Sequence, residues 1–199
     1  LIDDKGTSNS HLVPQKCMSY GFIEYLLQSI EQNPEHVARI TRGISNKWFP
    51  LLAAMGKIIS ASRAYVDGTS HRPKPEAATR VAIQLSKLMA CLCIVYGISA
   101  PDATILAIMR KVCYDTSFNM NSEIMMFMYR NQSCTISDIV AGIDSTAPTV
   151  TKVMNDLMAL GIAQRIAKHQ PKMGRPAVSY GLVTDIQESY RIIETNQES

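Results

Sequence analysis

Between residues 121 and 183 the chain changes its hydrophobic period. Apolar residues recur at three- and four-residue spacing as far as Leu160, and beyond Gly161 they alternate at every second position. Ile162, Gln164 and Ile166 alternate with their neighbours on the way out, and Val178, Tyr180 and Leu182 alternate with Ala177, Ser179 and Gly181 on the way back. Two such runs joined by a short turn predict a β-hairpin with one buried face. The turn, residues 168–175, carries Lys168, Lys172 and Arg175, no acid, and a Gly-Arg-Pro tip. Gly174 permits a tight turn and Pro176 stiffens the exit, so a basic ribbon is expected to protrude from an ordered hairpin.

The helical part of the same segment is punctuated. Ser122 is a candidate cap for a helix bearing Ile124, Phe127 and Met128, and Thr135 caps a short second helix bearing Ile136, Ile139 and Val140 that Gly142 stops. Asp144 and Ser145 offer the next N-cap, and Pro148 is tolerated in a first turn. Val150, Val153, Met154, Leu157 and Leu160 then form one apolar stripe, with Gly161 as the stop. Three helices in this order, the last two joined by a short turn, make a helix-turn-helix pattern followed by a hairpin.

Charge is concentrated there. The whole chain carries +3, but between residues 145 and 183 the bases Lys152, Arg165, Lys168, Lys172 and Arg175 face the single acid Asp156, a local +4. A local basic patch is the footprint expected where phosphates are met, and it is also the composition of an ordinary solvated face.

Three helices followed by a basic hairpin resemble the winged helix-turn-helix domain of bacterial transcription regulators. The phrases APTVTKVMNDLMALGIAQRI and MGRPAVSYGLV are similar to the recognition helix and wing of families such as MarR-like regulators. The resemblance implies a DNA-binding domain over residues 119–194, with double-stranded DNA as partner and a homodimer as the acting form. Two copies of one recognition helix would read two half-sites of a palindrome. On a helical wheel the face opposite Val150, Val153 and Leu157 holds Ser145, Pro148, Lys152 and Asn155, flanked by Thr146, Thr149 and Thr151. These are the expected groove contacts: Lys152 to phosphate or guanine, Asn155 to adenine, the threonines to phosphate or a thymine methyl. Lys168, His169, Lys172 and Arg175 are the expected wing contacts, with Arg175 suited to a narrow minor groove.

Ahead of this segment the patterns are helical, over 18–32, 34–44, 46–66, 76–96 and 101–114, the last with Ser99 or Ala100 before a proline in the first turn. DGTSHRPKPE reads as a loop, and no strand pattern precedes residue 118. The expected fold class is therefore mainly α, divided into a flexible segment 1–16, a helical dimerisation or effector domain 17–118, the winged helix-turn-helix 119–194 and a tail 195–199. The 76–96 pattern is apolar on more than one stripe, which predicts a helix buried on most sides, either at the centre of the helical domain or in a subunit interface. Trp48, Phe49, Met55 and Met89 are the residues on which a small-molecule effector could rest.

Other classes find little support. The longest apolar run, residues 88–98, is about half the ~20 residues that cross a bilayer, and the polar, acidic opening LIDDKGTSNS has no signal-peptide core. Five cysteines at irregular spacing do not make a disulfide framework, and a cytoplasmic setting fits them better. Cys91 and Cys93 fall on opposite sides of a helix and cannot chelate together. His11, His36, His71 and His169 sit at no metal-ligand spacing, and the chain holds no phosphate loop, dinucleotide fingerprint or nucleophile elbow. No enzymatic role, metal or cofactor is expected. The alternatives to a transcription regulator are a plasmid or phage replication or partition protein, and a winged-helix interaction module that binds no nucleic acid.

Overall fold

The computed structural model describes residues 34–66, 73–74, 77–169 and 177–195, with the isolated helical positions Glu24, Gln28 and Glu31. The expected segment 1–16, most of the 18–32 helix and residues 196–199 lie outside the described residues. Eight helices are described: α1 (Pro34–Lys47), α2 (Phe49–Arg63), α3 (Ala78–Val95), α4 (Ala103–Ser117), α5 (Met120–Asn131), α6 (Ile136–Gly142), α7 (Ala147–Ala159) and α8 (Thr184–Thr195). Two antiparallel pairs accompany them: β1 (Tyr65–Val66) with β2 (Pro73–Lys74), and β3 (Ala163–His169) with β4 (Ala177–Leu182). The molecule is mainly helical with a small antiparallel sheet.

Helix α2 is the centre. Trp48 precedes it, Pro50 falls in its first turn, and Leu51, Leu52, Met55, Ile58 and Ile59 are all buried. It packs against α1, α3, α4, α5 and α8. Burying each such side chain is worth about 1.5–3 kcal/mol of transfer free energy, which is what holds five helices to one axis. The sequence pattern predicted burial on most sides for 76–96, at the centre of the helical domain or in a subunit interface; within the chain the central place belongs to α2. Helix α3 buries a single stripe, Val81, Ala82, Leu85, Met89, Ala90 and Cys93, and leaves Ile83, Lys87, Cys91 and Val95 exposed. Both helices are apolar enough to be central. Topology decides, because α2 is flanked by α1, α3 and the returning α8, whereas α3 lies on the outside of α2. By length and composition α3 is also apolar enough to cross a bilayer, although its buried stripe is built into the core.

Smaller departures have local causes. The expected helix 46–66 begins at Phe49 and stops at Arg63, where the chain enters the β1–β2 pair, two residues a side and too short to leave a periodic signal. Helix α4 begins at Ala103 with Asp102 as its cap, Oδ1 accepting from Ile105 N at 2.9 Å, so Pro101 stands outside the helix. Helix α5 is capped by Asn119; Ser122 is the reciprocal partner, its Oγ accepting from Asn119 N at 3.0 Å. The Asn119 and Asn121 side-chain amides also donate to the carbonyl of Ser62, at 2.9 and 3.0 Å, tying the start of α5 to the end of α2.

Helix α8 has no counterpart in the sequence reading. Ile186, Tyr190 and Ile193 are buried, Tyr190 stacks on Tyr129 of α5 with centroids 4.8 Å apart, and Tyr129 Oη donates to Glu194 at 2.9 Å. Lys57 of α2 meets Asp185 at 2.6 Å. Thr195, expected in the tail, is the last residue of this helix. Through α8 the chain returns to α2, and one continuous core runs from Ile40 to Ile193.

Candidate nucleic-acid interface

Helix α6 starts from a capping box. Asp138 N donates to Thr135 Oγ1 at 3.3 Å, and the Asp138 carboxylate accepts from Thr135 N at 2.7 Å and from its hydroxyl at 2.8 Å. Those two donors hold the Asp138 carboxyl below its ordinary range, the backbone N–H contributing most. After Gly142 the chain turns through Asp144 at φ +47 and enters α7. The cap of α7 is Thr146 rather than Asp144 or Ser145; its hydroxyl pairs with that of Thr149 at 2.9 Å and makes no cap bond to the first-turn amides. Pro148 sits in the first turn, as its spacing predicts.

The apolar stripe of α7 faces inward: Val150, Met154 and Leu157 are at 0–1 % exposure, and Val153 and Leu160 pack at the margin. The opposite face is consequently solvent. Thr146, Pro148, Thr149, Thr151, Lys152 and Asn155 are all exposed, and Ser145 is half-buried at the turn. Lys152 and Asn155 make no ion pair or hydrogen bond among the described residues, so their polar groups remain available to a partner. Pro148, Thr149, Thr151, Lys152 and Asn155 of the wheel lie on α7 itself, whereas Ser145 and Thr146 precede the helix.

Gly161 stops α7 at φ +70, and β3 leads out. Its register with β4 pairs Ala163 with Leu182, Gln164 with Gly181 and Arg165 with Tyr180, then slips by a bulge before Lys168 meets Val178 and His169 meets Ala177. A third strand position joins them: Cys134 N donates to Tyr180 O at 3.0 Å and Tyr180 N to Cys134 O at 2.8 Å. This crossing explains Gly181, where a Cβ would stand 2.6 Å from Gln132 O and overlap the Ile166 side chain. The hairpin is thus anchored to the start of α6.

Of the expected wing contacts, Lys168 and His169 have their backbone in β3, while their side chains, with Lys172 and Arg175, lie outside the described residues. Gln164 and Arg165 are exposed on β3 beside α7, and Arg165 makes no ion pair among the described residues. The sequence reading counted Arg165 as charge without assigning it a contact. Period 2 counted from buried Ala163 would have put Arg165 on the buried face; instead Gln164, Arg165 and Ile166 are all exposed, Ile166 against the expected alternation, just ahead of the register shift between Arg165 and Lys168.

Elsewhere three buried thiols, Cys93, Cys113 and Cys134, are unsuited to nucleophilic work. Burial raises Cys93, and it pushes Cys113 up to about 12 and Cys134 up to about 11, so all three stay protonated. Cys91 is exposed on the far side of α3 from Cys93. No group of three or more His, Cys, Asp or Glu side chains converges on one point among the described residues. Of the residues proposed from sequence for an effector, Met55 and Met89 are wholly buried in the core, Trp48 is nearly so and Phe49 faces solvent. Comparison of the chain with protein-family models, with curated proteins and with solved structures finds no match to any of them.

Proposed function

We propose that residues 119–195 act as a winged helix-turn-helix that binds double-stranded DNA, and that the protein regulates transcription as a homodimer. The observation that carries this reading is the outer face of α7, where Thr149, Thr151, Lys152 and Asn155 are exposed together and the last two have no partner within the protein. A helix presents such a face to the major groove, its N-terminal residues nearest the base edges. Arg165 is exposed on the adjoining strand β3, beside α7, where a flanking phosphate would be met.

The dimer is supported by α3. Ile83, Lys87, Cys91 and Val95 follow one another at four-residue spacing and are all exposed, with Tyr96 beside them. Ile83 is 52 %, Val95 41 % and Tyr96 53 % exposed, a row of large apolar groups that a second copy would cover.

Selection of sites by the full chain from a random-sequence duplex pool tests the reading. Enrichment of a two-fold symmetric site, together with a sedimenting dimer and a maleimide cross-link between Cys91 thiols, is the expected result. A pool that stays random after repeated rounds would sink the DNA reading, and a monomer at tens of micromolar would sink the dimer.

A further inference from the structure

Towards its C-terminal end α2 turns one side to the start of α3 and to the junction between α7 and β3. Lys57, Ser60, Ala61 and Ala64 fall at i, i+3, i+4 and i+7, so they share that side of the helix. Together with Ala78 of α3, Leu160 at the end of α7 and Ile162 just ahead of β3, they line a cavity of about 160 Å3. Helices α2 and α3 approach closely at Gly56, where a Cβ would stand 2.8 Å from Ala78 O. One turn further along, the side chains of Ser60, Ala61 and Ala64 are too short to fill the gap between them. At a water's share of ~30 Å3, the space has room for about five non-hydrogen atoms.

Three kinds of donor converge on this otherwise apolar space. Ser60 is 6 % exposed and its Oγ has no hydrogen-bond partner among the described residues, whereas Ser62 of the same helix donates to Ile59 O at 2.8 Å. A buried hydroxyl left unpaired is destabilising, and a ligand that pairs it recovers the loss. Ala78 stands in the first turn of α3, whose cap residue, Ala77, has no side-chain acceptor to offer. The amides of Arg80 and Val81 both return to Ala77 O, at 3.0 and 3.3 Å, and those of Ala78 and Thr79 ahead of them have no acceptor among the described residues. They form the positive end of an 18-residue helix with no acid in its first turn. Lys57 supplies an ammonium. Its Nζ meets Asp185 of α8 at 2.6 Å, which engages one of three donors, and the Asp185 carboxylate is 72 % exposed to screening water.

A hydroxyl, two free amides and an ammonium call for an acceptor, and the dipole of α3 favours a charged one. The walls opposite are hydrocarbon, from Ala61, Ala64, Leu160 and Ile162. A phosphate or sulfate would press unsolvated oxygens against them, and a neutral amide would gain nothing from the dipole or from Lys57. A carboxylate carried on a short chain matches both ends of the space.

We propose that this cavity binds a short aliphatic carboxylate of about three to five carbons, its oxygens on the Ser60 hydroxyl and the first amides of α3, its hydrocarbon on Ala61, Leu160 and Ile162, with Lys57 at the mouth. The site does not rest on the DNA reading.

The test follows the amide resonances of the isotope-labelled full chain as sodium butanoate replaces sodium chloride at constant ionic strength. Saturable shifts centred on Ala78 and Thr79 are expected, with a dissociation constant in the millimolar range. Butanamide, the neutral isostere, and inorganic phosphate are each expected to bind at least tenfold more weakly. Ser60→Ala is expected to weaken butanoate about fivefold, the loss of one hydrogen bond to a charged group. The same change should leave the Tm of the ligand-free protein equal or higher, because the hydroxyl it deletes has no partner to lose. Ala61→Leu fills the space and is expected to abolish binding, with its fold checked by far-UV circular dichroism; should it not fold, Ser60→Ala still decides. Shifts that do not saturate, or that centre elsewhere in the chain, overturn the site. Equal binding of butanamide overturns the anion assignment, and equal binding of phosphate overturns the carboxylate. Unchanged binding of butanoate by Ser60→Ala overturns the proposal as a whole. None of these measurements involves DNA, so a failure to select a DNA site would overturn the preceding reading and leave this one standing.

Discussion

Helices α2 and α7 are nearly the same length, 15 and 13 residues, and are used in opposite ways. Ten residues of α2 are buried, against three of α7. Helix α2 spends most of its circumference on packing: only Phe49, Pro50 and Arg63, at its two ends, are exposed, and Lys57 is engaged by Asp185. Helix α7 spends one stripe, Val150, Met154 and Leu157, and that stripe is sufficient to orient the rest. Its remaining polar groups are held in a fixed direction without being consumed. A binding helix needs this combination: enough burial to remove rotational freedom, and a polar face with no internal partner.

Breaking the central helix should have the largest effect. Met55 is wholly enclosed, and Met55→Ala is expected to cost about 2–5 kcal/mol through lost transfer energy and the cavity left behind. Because α2, α5, α7 and α8 share one core, the loss should not stay in the helical half. Denaturation followed by the fluorescence of Trp48, the sole tryptophan, and by far-UV circular dichroism should shift together. Two separate transitions would show that α7 stands on a core of its own.

Changing α7 should do the reverse. Lys152→Ala or Asn155→Ala touches no internal contact, and stability is expected to remain within about 0.5 kcal/mol of the parent. Discrimination between a selected site and random duplex should fall by about 1–3 kcal/mol for a base-reading residue. Equal weakening on both sequences would move the residue from base to backbone.

How much of this contrast was legible in the sequence depends on how local its causes are. The inward stripe and outward face of α7 follow from spacing alone, and the wheel sorted Lys152 and Asn155 from Val150 and Leu157 correctly. Thr135 as cap and Gly142 and Gly161 as stops are likewise local chemistry. What decides between α2 and α3 as the centre is not local, because both are apolar beyond a single stripe and only the topology encloses one of them. Helix α8 escaped for a related reason: Ile186, Tyr190 and Ile193 are few among polar neighbours, and their helix is stabilised by docking on α2, far away in the chain. The Cys134–Tyr180 crossing is a single bridge without a period. The cavity towards the end of α2 draws its walls from α2, α3, the end of α7 and the residues leading into β3, so no single stretch of sequence announces it.

The sheet offers a smaller test of where reading ends and positioning begins. Arg165 stands on β3 opposite Tyr180, outside the α7 face. Arg165→Ala is expected to weaken selected and random duplex by similar factors. It should also lower the slope of log affinity against log salt by about one unit, as the loss of one phosphate contact does. A salt series on the parent and the variant checks both. If the slope is unchanged while discrimination falls, Arg165 belongs with the groove-reading residues.

The smallest expected effect lies between the two helices, at the cap that starts α6. Thr135 donates two hydrogen bonds to the Asp138 carboxylate and holds its pKa below the ordinary value near 4. A folded-state pKa lowered in this way gives stability that is fully present above the unfolded value and is lost as the pH falls through the folded one. The cap should therefore be intact from neutral pH down to about 4 and weaken below it. Asp138→Asn should remove the pH dependence and leave α6, at neutral pH as well, near the protection that the parent shows in acid. Amide exchange of α6 between pH 3 and 6, corrected for the intrinsic rate, reads the effect where a global melt would dilute it. Since α6 commits a single buried residue, Ile139, to the core, α2 should show no corresponding change; if it does, the cap is coupled to the core, and the separation between scaffold and binding face is weaker than the burial pattern implies.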